Sequence, residues 1–205
     1  YGLGESHVDA LLKGVEDIVR DGSVKLGFRA HYPQLETKLT VRGADMNDIQ
    51  MKLAPVVEEV RKRIGNFILA EDEKTLEGVV LAELTAQQAS LAVVETFTGG
   101  QIAARLAPLP GAETVFKRGT VARSVGEIYA AVSLADPATS GEISPEMAEA
   151  VATAARQQTG STHALAVLVT VDDGADRIDF GGTICLAIAT AREVVSRRSR
   201  IVGGR

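Results

Sequence analysis

Tryptophan is absent from these 205 residues, and aromatic side chains make up only 4% of them. A buried core must therefore be aliphatic, built from Val, Ile, Leu and Ala. Cysteine occurs once, which excludes a disulfide within the chain. Its setting, Ile184-Cys185-Leu186-Ala187-Ile188, marks it as a core residue of a reduced, cytoplasmic protein. No run of about 18 apolar residues occurs, so no membrane-spanning helix is expected. No signal-peptide pattern opens the chain, and its first residue is Tyr1 rather than methionine, as in a fragment of a longer protein. The three histidines, His7, His31 and His163, have no converging partners, so no metal is expected. Asp172, Asp173, Asp176 and Asp179 lack the order of a calcium loop and its terminal glutamate, and a solvated turn accounts for them. The net charge of −5 argues against a nucleic-acid surface as the main business of the chain.

What is present is an ordinary globular balance, 45% hydrophobic and 24% charged, enough for one or two domains. From His7 to Val19 the apolar positions Val8, Leu11, Leu12, Val15 and Ile18 form a helical stripe, with Gly22 just past its end. Val24–Ala30 and Leu35–Val41 alternate like half-buried strands around a Tyr32-Pro33-Gln34 loop. Asp45 opens a second helix carrying Ile49, Leu53, Val56, Val57, Val60 and Ile64, closed by Gly65; Pro55 inside it predicts a kink or an interrupted first turn. Phe67–Ala70 reads as a third short strand, and Glu71-Asp72-Glu73-Lys74 as a solvated charge run. This helix–hairpin–helix–strand order resembles KH-type modules, which bind single-stranded nucleic acid through a GXXG loop. No such loop joins the helices here, so a spacer or dimerising module is the preferred reading and nucleic acid is not an expected partner.

From Thr75 onward strands alternate with helices. Thr75 caps a helix through Leu76, Val79, Val80, Leu84 and Ala89, and Leu91–Val94 is a short buried strand. A helix after Gly100 ends at Pro108-Leu109-Pro110-Gly111. Val115–Arg123 is a strand, and Ser124 caps a short helix through Ile128 and Val132. Ser144-Pro145-Glu146 starts a helix that stops at Gly160. Then come the strands Ala164–Thr170 and Thr183–Ala189, separated by the polar turn 171–177, and a basic edge strand, Glu193–Val202, with Arg197, Arg198 and Arg200. The fold class predicted is α/β. Residues 75–205 form a three-layer α/β/α domain with a mixed, mostly parallel sheet, and residues 1–74 form a small α+β KH-like domain before it.

The stretch around which the second domain is organised is Glu95-Thr96-Phe97-Thr98-Gly99-Gly100. It reads as a strand end, a tight turn with two hydroxyls and two glycines, and a helix start. Free N–H groups at a helix N-terminus attract an anion, and glycine lets a ligand approach the main chain. Thr98 acting only as an N-cap is the structural alternative. Gly99, Gly100 and the loop after Thr170 fall at strand ends, where open α/β sheets place their ligands.

Over its whole length the chain resembles the second and third domains of the CinA (competence/damage-inducible A) family. Gly2-Leu3-Gly4-Glu5-Ser6 resembles the Gly-x-Gly-Glu-Ser opening of that family's KH-like middle domain, and Val41-Arg42-Gly43-Ala44 and Glu71–Glu77 fit its later portion. Glu95–Gly100 resembles the family's Glu-Ser-x-Thr-Gly-Gly, and Ala107–Gly111 its loop ending in Pro-Gly. Gly119–Ser124 resembles Gly-x-Val-x-Tyr-Ser, and Gly182-Thr183 its Val-Gly-Thr. The resemblance implies a C-terminal nicotinamide mononucleotide deamidase domain. Such a domain releases ammonia from the carboxamide, with a serine nucleophile helped by a tyrosine and a lysine in Tyr-Ser-Asn-x-x-Lys. It also implies, in the full-length protein, an N-terminal domain similar to molybdopterin-binding proteins, absent from these residues. A final helix would follow Arg205. No cofactor is implied.

Each position that the resemblance makes catalytic is changed. Thr96 stands in place of the serine, Arg123 of the tyrosine, Val125 of the asparagine and Ile128 of the lysine. Isoleucine cannot accept a proton, and arginine stays charged, so neither supplies the base that a weak hydroxyl needs. The loop Val171–Asp176 departs from the family's glycine-rich one. What remains is the scaffold: Glu95, Thr98, Gly99, Gly100, Ser124, Thr170, Gly182 and Thr183. These, with Arg123 as an alternative phosphate contact or a plain surface arginine, are the expected ligand-binding residues. Thr96 is the degenerate nucleophile position. The leading expectation is a pseudoenzyme, a deamidase-like domain that has lost catalysis and serves pyridine-nucleotide binding or assembly as a homodimer. The first alternative is an active amidase using Thr96, tied to NAD metabolism. The second is a purely structural dimerisation module.

Overall fold

In the computed structural model, which describes residues 3–31, 34–72, 74–135, 142–171 and 181–202, the apolar stripe of the first helix is split. Helix α1 (Glu5–Leu12) stops before Gly14, whose φ of 79° no helix accepts, and a 3-10 turn at Val15–Ile18 carries the rest. Strands β1 (Val24–His31) and β2 (Gln34–Val41) pair antiparallel, Val24 opposite Val41 and His31 opposite Gln34. The residues 32 and 33 of the expected loop lie outside the described set. Helix α2 (Met46–Ile64) runs without the interrupted first turn that Pro55 suggested. Its start is secured by Asp45, which accepts the Asp48 N–H, and its face of Val56, Val60 and Ile64 is buried. These three, with Val8, Leu12, Val15 and Val24, make the first aliphatic core.

The expected third strand at Phe67–Ala70 does not form. Gly65–Phe67 is a 3-10 turn, the Ile68 N–H returns to the Gly65 carbonyl, and Phe67 and Leu69 remain 41% and 43% exposed. Only Ile68 packs into the core. Phe67 is taken up by the 3-10 turn, and residues 68–70 find no neighbouring strand to pair with among the described residues.

The chain divides into two compact units, Tyr1–Lys74 and Thr75–Arg205. In the second, helices α3 (Leu76–Ala86), α4 (Gln101–Leu106), α5 (Ala112–Val115), α6 (Val125–Ala131) and α7 (Pro145–Thr159) surround a five-stranded sheet. Its strands are β3 (Leu91–Thr96), β4 (Phe116–Ala122), β5 (His163–Val171), β6 (Gly181–Ala189) and β7 (Val194–Val202), in the order β4-β3-β5-β6-β7. The pairs β3–β4 and β3–β5 are parallel, while β5–β6 and β6–β7 are antiparallel. Thr75 caps α3 as expected, though the helix ends at Ala86, short of Ala89.

Strand alternation decides which helices cover which face. Ala92 and Val94 join Ala164, Ala166, Leu168, Cys185 and Ala187 under α6 and α7, in a core that includes Ile128, Tyr129 and Val151. Leu91 and Val93 point the other way, toward Leu106 of α4 and the half-buried Leu84 of α3. Leu81 of α3 continues that side with Ala112 and Val115. The result is three layers. The small residues of β5 and β6 let α7 sit close to the sheet. Ser144 caps α7 and Gly160, at φ 64°, ends it.

Candidate functional site

Parallel strands end on the same side of a sheet. Thr96, Ala122 and Val171 therefore close β3, β4 and β5 at one edge, and the antiparallel β6 begins there with Gly181, Gly182 and Thr183. Val171 faces Gly182 and Thr170 faces Thr183. The sheet topology thus gathers every residue expected to bind a ligand at this edge.

The details differ from those expectations. Thr98 does not cap α4. The capping position is Gly100, at φ 85°, which has no side chain to offer, and a Cβ there would stand 3.1 Å from a methyl of Val121. The capping oxygens come from Glu95. One accepts the Ile102 N–H at 3.1 Å, the other accepts the Ala103 N–H at 3.0 Å, and the Thr98 hydroxyl donates to the first at 2.7 Å. Glu95 is fully buried. The helix N-terminus that the sequence offered to an external anion is therefore filled by a carboxylate of the chain itself, which also suits the positive end of the helix dipole. Thr98 anchors that carboxylate.

Thr96 belongs to the strand rather than to the turn after it. Its side chain is fully buried. The hydroxyl accepts the Val169 N–H at 2.7 Å and lies 3.4 and 3.5 Å from the Val167 and Val169 carbonyl oxygens. The β3–β5 pairing runs to Glu95 and Val167, so this hydroxyl carries it one step beyond the last main-chain pair. Ile128, on α6, is fully buried among Ala92, Val94 and Val151.

Arg123 is exposed, and its guanidinium carbon lies 4.7 Å from the centroid of the Phe97 ring. Phe97 is a contributor that sequence reasoning passed over. It has a positive φ of 57°, unusual for an aromatic residue, and this turns its ring toward the end of β4. A bulky residue between two threonines ahead of a glycine pair was the available signal. Ser124 is occupied: its hydroxyl accepts the Glu127 N–H, and the Glu127 carboxylate accepts the Ser124 N–H, a complete capping box for α6. Thr170 and Thr183 are half-buried, and Gly182 is buried. The altered loop after Val171 lies outside the described residues.

A depression of about 320 Å³, lined by Gln88, Ser90, Thr114 and Lys117, lies at the opposite edge of the sheet, where β3 and β4 begin. Among the described residues, no group of three or more His, Cys, Asp or Glu side chains converges to hold a metal ion. No described helix is long and apolar enough to cross a membrane.

Comparison with known proteins agrees with this architecture. Residues 73–205 match the family model of the CinA C-terminal domain, and residues 1–70 that of the damage-inducible protein CinA KH domain. A CinA-like protein of Frankia casuarinae is 32% identical over 208 residues, covering all of this chain and 48% of that protein. One from Geotalea uraniireducens is 30% identical, covering all of this chain and 49% of that protein. The chain thus spans about half the length of the relatives it matches. A competence-damaged protein (CinA) superfamily structure from Escherichia coli superimposes with a TM-score of 0.53 at 19% identity, over 70% of this chain and 86% of that one. A competence/damage inducible protein from Agrobacterium tumefaciens gives 0.51 at 20% identity, over 64% and 82%.

Proposed function

Since the chain belongs to the CinA family, we propose that its second unit is a deamidase-like domain without catalysis that binds a pyridine nucleotide at the edge where β3, β4 and β5 end. The observation that carries this reading is the state of Thr96. A nucleophilic hydroxyl must reach its substrate and give its proton to a base. The Thr96 hydroxyl is buried, takes the Val169 N–H and faces two carbonyl oxygens, none of which is a base at neutral pH. Where a helper lysine would stand, Ile128 is part of the core.

Arg123 is a group at this edge whose chemistry suits a nucleotide phosphate, because its planar fork pairs two oxygens at once. Stacking on Phe97 holds the guanidinium at the mouth of the edge. The purely structural reading finds support in Glu95, which already fills the first turn of α4 and leaves less of the turn for a ligand.

The test is ammonia release from nicotinamide mononucleotide, with calorimetric titration of the same compound. Binding without release is expected, weakened about tenfold in Arg123→Ala. Release that disappears in Thr96→Ala would establish a threonine amidase and overturn the proposal. Neither release nor binding would leave the structural reading in its place.

A further inference from the structure

The first unit holds a sheet of two strands, stabilised on one face by packing against α1 and α2. Its two outer edges are not equivalent. The Arg42 N–H donates to the Ser23 carbonyl, and hydrogen-bonded and non-hydrogen-bonded pairs alternate from there along the hairpin. With Lys25 opposite Thr40, Gly27 opposite Lys38 and Arg29 opposite Glu36, these residues use their main-chain groups within the hairpin. Leu26 and Phe28 on β1, and Leu35, Thr37 and Leu39 on β2, turn theirs outward. On β1 the outward Leu26 N–H donates to the Glu16 carboxylate, so that edge is partly covered. On β2 the described residues show no partner for the outward groups.

The sequence of β2 is self-complementary. Read about Thr37, Leu35-Glu36-Thr37-Lys38-Leu39 places opposite charges and like apolar residues at equal distances from its centre. We propose that β2 pairs antiparallel with β2 of a second copy of this chain about a two-fold axis at Thr37, making a four-stranded sheet β1-β2-β2-β1. Thr37 then faces its own copy, and Leu35 faces Leu39, as hydrogen-bonded pairs. Glu36 faces Lys38 twice, at the closer non-hydrogen-bonded spacing. The faces agree as well. Glu36 and Lys38 are exposed, while Leu35 and Leu39 are half-buried on the core side, so the pairing extends the core and leaves the charges in water. A two-fold interface requires this self-complementarity of one patch. The other outer strands lack it, β4 carrying Lys117 and Arg118 with no acidic residue. The β1 strand carries Lys25 and Arg29, and β7 at the edge of the larger sheet carries Arg197, Arg198 and Arg200, like charges that oppose pairing with a copy.

The test is charge exchange in the 205-residue chain, followed by sedimentation and native mass spectrometry. One variant is K38E. The other is R29E/E36K, in which R29E keeps the cross-strand pair within the hairpin opposite in sign. The parent is expected to be dimeric. Each variant alone should dissociate roughly tenfold more readily, because both interfacial pairs become repulsive. An equimolar mixture should recover a dimer made of one copy of each. A monomeric parent overturns the proposal, as do variants that dimerise like the parent or a mixture that recovers nothing. Circular dichroism of each variant, matching the parent, ties the loss to the interface.

Discussion

Glu95 shows how one side chain can decide what a motif is for. Its two oxygens take three donors, two of them orphan N–H groups of α4, in a place with no water to substitute. Glu95→Ala should lower the stability of the second unit by about 2–3 kcal/mol, the cost of stranding buried donors. Urea unfolding followed by far-ultraviolet dichroism measures it, and a change under about 0.5 kcal/mol would remove Glu95 from this role. Ile128 makes the complementary case. Placing a lysine at this fully buried position would strand an ammonium in the aliphatic core. Ile128→Lys should cost more than about 3 kcal/mol and yield no ammonia from nicotinamide mononucleotide. Unchanged unfolding would show that the position opens to solvent.

The elements were legible wherever local chemistry and long-range packing agreed. Asp45, Thr75, Ser124 and Ser144 each begin a helix by accepting an N–H, and those caps were readable because the pattern is local. The inner strands β3, β5 and β6 were readable from their aliphatic runs, and the outer strands β4 and β7 from their place between turn signals. Two elements were not. The stripe through Val8 and Ile18 satisfies helical spacing, yet Gly14 breaks it; and Phe67–Ala70 is apolar, yet residues 68–70 find no strand to pair with among the described residues. At the site, the sequence located the edge but not the roles. A glutamate eight residues before Ala103 carries no local sign that it will cap that residue's helix, and a threonine at a strand end looks the same whether its hydroxyl is free or bonded to a neighbouring strand.

One element junction has a pH signature. Lys52 of α2 bridges Asp21 at 3.1 Å and Asp48 at 3.0 Å. The Asp21 carboxyl falls from 3.8 to about 2. Ser23 is the leading cause, its N–H donating at 2.8 Å while its hydroxyl stands outside hydrogen-bond geometry, and Lys52 follows. Asp48 is lowered by the Ala44 N–H and then by Lys52. Carboxyls depressed on folding stabilise fully above their unfolded value and lose that contribution as pH falls through the folded one. The start of α2 should therefore loosen between about pH 4 and pH 2. Hydrogen exchange at the Ser23 and Ala44 amides reads this out, and constant protection across the window would exclude it. Because Asp21 is exposed and Asp48 and Lys52 are only half-buried, added salt should shrink the effect.

At the scale of the whole molecule, charge sets behaviour toward large anions. With a net charge of −5 and an isoelectric point near 5.3, the chain is repelled by polyanions at neutral pH. The arginines of β7 are a local exception. Single-stranded RNA should show no mobility shift at about 10 μM protein in physiological salt, and solubility should be lowest near the isoelectric point. A shift that survives that salt would restore nucleic acid as a partner of the KH-like unit.

Cys185 sits in β6 opposite Leu168 on one side and Arg198 on the other, fully buried beneath α7. It is the one thiol in the chain, and burial pushes its ionisation up. These two facts make the larger sheet its own stopwatch. A thiol reagent reaches the sulfur only during an excursion in which the sheet parts from α7, so every labelled molecule records one such event. When reclosing outruns labelling, the observed rate divided by that of an unprotected cysteine is the fraction of time spent open. A ratio of about one in ten thousand corresponds to roughly 5.5 kcal/mol. Saturating nucleotide that grips the sheet edge would slow this clock, and a nucleotide that does not bind would leave it running at the same rate.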